Sequence, residues 1–147
     1  MKNILIFSIV LFTCCSFSAQ NWITNLEKAK KDATMNNKYI LIEFSGSDWC
    51  PPCKRLNEEV FLTEEWKTWS KDNLVCVLID RPLKGLDSSD LKYNQKITEL
   101  YDVKYFPTII ITDNEGNEVF RTGYIPGGVS VFINQLNKLA RESSVIF

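Results

Sequence analysis

The stretch SDWCPPCKRL, residues 47–56, decides how the rest of the chain is read. It sets Cys50 and Cys53 three residues apart, with Pro51 and Pro52 between them and Lys54 and Arg55 behind. Just before it, residues 39–44 (YILIEF) form a short continuous apolar run bounded by Ser45, Gly46 and Ser47, the pattern of a buried strand. From Pro51 to about Ser70 the residues favour helix, with an expected interruption near Leu62 and a second piece capped by Thr63. The cysteine pair therefore falls at a strand-to-helix junction.

Residues three apart are neighbours on a helix, so such a pair can close into a disulfide with little backbone movement. Cys50 falls at the helix start, where unpaired N–H groups and the positive dipole end favour a thiolate, and is expected to attack first. Cys53, one turn inside and less exposed, is expected to resolve the mixed disulfide. Other chemistries compete. A purely structural bridge enclosing two residues would constrain the unfolded chain very little. Zinc needs four ligands, and the chain has no histidine and only Cys76 beyond the pair once residues 1–19 are set aside. Haem attachment requires a histidine where Lys54 stands. Copper(I) on two thiolates stays open.

Working outward, Trp22, Leu26, Ala29 and Ala33 share a helical face that Asn36 and Asn37 end. Residues 74–79 are a second apolar strand. The loop RPLKGLDSSD follows Asp80, and then Leu91, Tyr93, Ile97, Leu100 and Tyr101 lie mostly on one helical face. After Pro107, TIII reads as a strand, residues 114–117 as a turn and residues 119–124 as its return. Gly127 and Gly128 open a last helix with Phe132, Leu136, Leu139 and Ala140 inward. The alternation predicts an α/β sandwich, with parallel crossover units first and an antiparallel hairpin after.

The chain's 147 residues suit one core, and its composition, 45% hydrophobic and 24% charged, is that of an ordinary globular protein. The formal charge is −1, with cations spread among acids, so no nucleic-acid surface is expected. Residues 1–19 read as a secretory signal: Lys2 starts it, residues 4–12 are apolar except for Ser8, and small or polar residues run on to Ala19. That run is about half of the ~20 residues a membrane span needs. Lipid on Cys14 or Cys15 is the alternative to cleavage near Ser18 or Ala19. The mature domain is then 20–147, with Cys50, Cys53 and Cys76 too few for a disulfide scaffold. Cys76, within LVCVL, is expected to pack as a small apolar residue.

ILIEF, DWCPPCK, NLVCVLID, YDVKYFPTIII and FRTGY, in this order between Tyr39 and Arg141, resemble the thioredoxin superfamily, in particular its exported thioredoxin-like and thiol-disulfide interchange proteins. The resemblance implies a thioredoxin-like sandwich with a central mixed β-sheet flanked by helices. It implies a cis Pro107 beside the cysteine pair, backbone groups of Phe106 and Pro107 that pair with an extended substrate, and Trp49 shielding Cys50. It also implies that Glu43 is a buried acid exchanging a proton with Cys53.

Two departures stand out: Glu43 replaces the commoner aspartate, and SGSD is one residue longer than the usual connection. The loop after Asp80 is also longer than in a minimal thioredoxin. The function implied is an exported protein thiol-disulfide oxidoreductase, a reductase before an oxidase or isomerase, in the bacterial periplasm. It needs no dissociable cofactor or metal, acts on cysteine-containing exported proteins and draws electrons from a membrane or envelope donor. A copper(I)-binding or peptide-binding envelope protein is the rival from another class.

Overall fold

A computed structural model describes residues 21–145 and 147. The expected signal segment, with Cys14 and Cys15, lies outside the described residues. In chain order the elements are α1 (Leu26–Asn36), β1 (Tyr39–Ser45), α2 (Pro51–Leu56), a π-helical turn (Asn57–Phe61), α3 (Glu64–Asn73), β2 (Leu74–Asp80), α4 (Ser88–Leu100), β3 (Thr108–Thr112), β4 (Glu118–Thr122) and α5 (Gly128–Glu142). The sheet order is β2-β1-β3-β4. β2 runs parallel to β1, while β3 is antiparallel to both β1 and β4.

Because side chains alternate across a strand, β1 feeds two cores. Leu41 joins Ile109, Ile111, Leu56, Val60, Phe61, Trp66, Phe132 and Leu136 on the face covered by α2, α3 and α5. Ile40, Ile42 and Phe44 join Leu26, Ala29, Ala33, Val77, Ile79, Ile97 and Ile110 on the face covered by α1 and α4. A strand buried on both sides must be apolar throughout, which is why residues 39–44 carry almost no polar side chain. Glu43 is the exception, and it shares the face of Leu41, toward α2.

The frame under α2 is aromatic. Phe61 meets Trp66, Phe132 and Trp22 with ring centroids 5.1, 5.9 and 5.0 Å apart. Such pairs contribute roughly 0.5–1.5 kcal/mol each beyond the area they bury. They fix the helix that carries the cysteines to α3 and α5. Among the described residues, Trp66 Nε1 finds no hydrogen-bond partner.

Local signals set the boundaries. Asn25 accepts from Lys28 N (2.9 Å) to start α1, and Asn37, at φ 51°, ends it. Trp22 therefore precedes the helix, and Ile23 bridges to Val77 at the edge of β2. Thr63 caps α3 by accepting from Trp66 N (3.2 Å), as its position predicts. The expected interruption falls at Leu62 and Thr63, after the π turn, whose Val60 and Phe61 reach the core.

In α4 the expected face is only partly right, since Leu100 is 68% exposed and Leu91 is also exposed. Asn94 and Thr98 are buried instead, because Asn94 Nδ2 donates to Asp80 O (2.7 Å) and Thr98 Oγ1 to Asn94 O (2.7 Å). In α5, Phe132, Ile133, Leu136 and Ala140 are buried, and Leu139 only partly so.

Candidate active site

Cys50 is the N-cap of α2, with Pro51 and Pro52 at the first two helical positions. Proline suits a first turn, whose N–H groups lack intrahelical partners, and its fixed φ is already helical. The consequence falls on the sulfur. Neither proline has an N–H to offer, and Cys50 Sγ accepts from Cys53 N at 3.3 Å. Cys50 and Cys53 form a disulfide, with their Cα atoms 5.3 Å apart. The expected difference in exposure is slight, 3% for Cys50 and 1% for Cys53. What separates the two is position, one at the cap and the other a turn inside.

Glu43 is 5% exposed. Its carboxyl is pushed up to about 8, chiefly because burial penalises the charged form. A hydrogen bond with Ser45 pulls it down, and the nearby Asp80 charge raises it further. A cavity of about 180 Å³ connects this acid to Cys53: Glu43, Ser45, Ser47, Cys53, Lys54, Asn57, Glu58 and Leu78 line it. Glu43 and Cys53 share this space, and Cys50 is not part of its wall. The volume accommodates several water molecules at roughly 30 Å³ each.

The loop between β1 and α2 is a tight turn in which Trp49 N and Cys50 N both donate to Gly46 O, at 3.2 and 2.8 Å. Gly46 is required because the Trp49 indole lies against it: a Cβ there would sit 2.4 Å from Trp49 Cε2. The indole meets the Phe106 ring edge-on at 5.6 Å and donates from Nε1 to Arg81 O at 2.8 Å. The Phe106–Pro107 bond that follows is cis.

Three acids or hydroxyls at the site escape a reading of motifs. Asp80 accepts from Ser47 N (2.9 Å) and Ser47 Oγ (2.5 Å), joining the end of β2 to the turn before Trp49. Asp48 accepts from Leu83 N at 3.0 Å with each oxygen and from Lys84 N at 3.3 Å. All that the sequence offers for Asp80 is its place at the end of the apolar run of residues 74–79. Asp48 has no comparable local signal. Cys76 lies away from this cluster, buried in mid-β2 opposite Leu41.

A family model for the thioredoxin-like domain matches residues 26–139. The disulfide bond reductase DsbH of Chlamydia pneumoniae is 29% identical over 80% of this chain and 69% of its own length. The thioredoxin-related protein DsbJ of the same organism is 25% identical over 69% of this chain, but the match spans only 30% of it. Among solved structures, a DsbH oxidoreductase superposes with TM-score 0.79 at 23% identity, covering 96% of this chain and 94% of the other. A thioredoxin from Thermus thermophilus gives 0.63 at 15% identity, covering 85% and 91%. Among the described residues no helix is long and apolar enough to cross a membrane. With a family match over most of its length and a disulfide-forming pair at the start of α2, the chain belongs to the thioredoxin-like domain family, as a homologue of its thiol-disulfide oxidoreductases.

Proposed function

We propose that the protein is an exported thiol-disulfide reductase of the bacterial envelope, delivered by the signal segment at residues 1–19 and acting as the domain 20–147. The observation that carries the reading is the Cys50–Cys53 pair at the start of α2, with buried Glu43 across a shared cavity from Cys53. In the reduced form the Cys50 thiolate attacks one sulfur of a client disulfide, forming a mixed disulfide and releasing the first client thiolate. Glu43, in its ionised form, takes the Cys53 proton through the cavity, and the Cys53 thiolate attacks Cys50 Sγ. This closes the Cys50–Cys53 disulfide and releases the second client thiolate. Two electrons pass to the client, and a membrane or envelope donor restores the dithiol. No bound cofactor takes part.

Trp49 shields Cys50 in this scheme, and the backbone around Phe106 and Pro107 receives an extended client segment as an added strand does. Reduction is favoured over oxidation because two prolines leave the Cys50 thiolate few donors, so the reduced form gains little extra stability. The name of the 29% identical relative, a disulfide bond reductase, points the same way. The test is insulin reduction by the mature protein with a chemical reductant, beside Cys50→Ser. In parallel, Cys53→Ser expressed in the native envelope should accumulate mixed disulfides on Cys50. Insulin reduction no faster than with Cys50→Ser overturns the reading.

A further inference from the structure

The long loop after β2 is bolted to the turn that carries the cysteines. Arg81 N donates to Ser45 O (2.8 Å), and Trp49 Nε1 donates to Arg81 O (2.8 Å). Both carboxylate oxygens of Asp48 hold Leu83 N at 3.0 Å, and one also takes Lys84 N at 3.3 Å. Asp80, at the start of the loop, is itself held by Ser47, and its carbonyl accepts from Asn94 Nδ2. A loop tied at four successive points does not wander as a surface insertion ordinarily does.

What the clamp presents is an apolar side chain in water. Leu83 is 76% exposed. Single exposed leucines are common on surfaces and need no explanation. This one differs in that charge-assisted hydrogen bonds fix its backbone, and they come from the residue two positions before Cys50. The loop it sits on also abuts the cysteine site: Trp49, 42% exposed and next to Cys50, meets Phe106 ring to edge and donates from Nε1 to Arg81 O, two residues before Leu83. A client segment that passes Trp49 on its way to Cys50 comes within reach of the clamped loop, because Trp49 is bonded to that loop at Arg81.

We propose that Leu83 is a specificity-determining residue that receives an apolar side chain flanking the client's cysteine, and that Asp48 is the positioning residue that holds it there. The occupant is an unfolded or extended cysteine-containing polypeptide, since an extended segment can lay its cysteine at Cys50 and a neighbouring side chain along the clamped loop at the same time. Continuity with the cysteine site places it. The proposal rests on the disulfide reductase reading above and adds to it which disulfides are preferred.

The experiment uses two disulfide-linked peptide probes that differ only in the residue beside the cysteine, Leu in one and Asn in the other. Wild type should favour the leucine probe about tenfold in kcat/KM, the low end of what one apolar contact discriminates. Leu83→Ser should remove that preference through KM, and Leu83→Met should restore it. Asp48→Ala should lower the preference as well and speed amide exchange at Leu83 and Lys84, which a loop held by other means would not show. Leu83→Ser slowing both probes in parallel, or neither, overturns the assignment while leaving the reductase reading intact. Wild type that reduces neither probe removes that reading and the proposal together.

Discussion

Cys50 and Cys76 are almost equally withdrawn from solvent, 3% and 5% exposed, yet the chain surrounds them with different physics. Cys50 stands where backbone polarity converges: the cap of α2, the Cys53 amide at 3.3 Å, and a partner sulfur one turn on. Cys76 stands in mid-strand opposite Leu41, inside the core shared with Leu56, Trp66 and Phe132. Exposure alone would rank them together. Reactivity is expected to follow the backbone's local polarity, because a helix terminus offers N–H donors and its positive dipole end to a thiolate.

The largest expected effect breaks or keeps this comparison outright. Cys50→Ala should lower disulfide reduction on the order of 10³-fold or more, as loss of a covalent nucleophile does. Cys76→Ala should leave turnover within about twofold and cost on the order of 1 kcal/mol of stability through a small cavity. Reduction rates and urea midpoints of the two variants check both halves. A severe loss of turnover in Cys76→Ala would show that the core thiol takes part.

Alkylation sharpens the same contrast. In the reduced protein near neutral pH, Cys50 should be labelled well before Cys53 and about a hundredfold faster than Cys76, whose labelling requires local opening. The test has force because Cys76 also lines a cavity of about 450 Å³ with Lys38, Lys67 and Lys71. A reagent that enters there directly would bring the two rates within tenfold and end the comparison.

Much of this was legible in the sequence, for physical reasons that differ by element. β1 and β2 are continuous apolar runs because they are covered on both faces or packed at a helix-lined edge, so their limits show without alignment. Thr63 announced α3 because a cap is a local chemical event. The cysteine pair follows from its spacing, while Glu43, Trp49, Phe106 and Pro107 follow from the family resemblance; the fold brings Glu43 and Cys53 to one cavity and Trp49 to Phe106.

What could not be read depends on contacts far apart in the chain. Asp48 meets Leu83 across 35 residues and Asp80 meets Ser47 across 33, so neither carboxylate has a neighbour in sequence that betrays it. The buried face of α4 departs from its apolar periodicity for a related reason. Asn94 is buried because its amide satisfies the carbonyl of Asp80, a partner that periodicity does not register.

Glu43 tests the polar half of the comparison at moderate size. Its carboxyl ionises at about 8 in the folded protein against an ordinary value of 4.5, so the folded state holds a proton that the unfolded state releases between those pH values. Stability from this group is therefore full below about pH 4.5, declines as pH rises and is lost once pH passes about 8. The amount is on the order of a few kcal/mol. Glu43→Gln should flatten that decline in urea midpoints from pH 5 to 9, making the variant the more stable form at the alkaline end. It should also slow turnover and erase a limb near pH 8 from the pH-rate profile. A flattened stability curve with an unchanged rate profile would make Glu43 a buried acid without a part in proton exchange.

The smallest effect concerns the two prolines and decides how far the cap of α2 tunes Cys50. A thiolate at an N-cap ordinarily accepts from the amides two and three residues on. Pro52 removes the first of these, and Cys53 N supplies the second at 3.3 Å. A less stabilised thiolate means a less stabilised reduced form, so the pair should equilibrate with glutathione between roughly −270 and −200 mV rather than near about −120 mV. Pro52→His returns an N–H and adds a group that can carry positive charge beside the sulfur. It should lower the Cys50 pKa and raise the potential by tens of millivolts, each tenfold change in the equilibrium being about 30 mV for two electrons. Thiolate absorbance against pH measures the first and glutathione equilibration the second. If Pro52→His made the pair more reducing, the missing amide would not be what holds Cys50 in check, and the contrast with Cys76 would have to rest on the helix dipole alone.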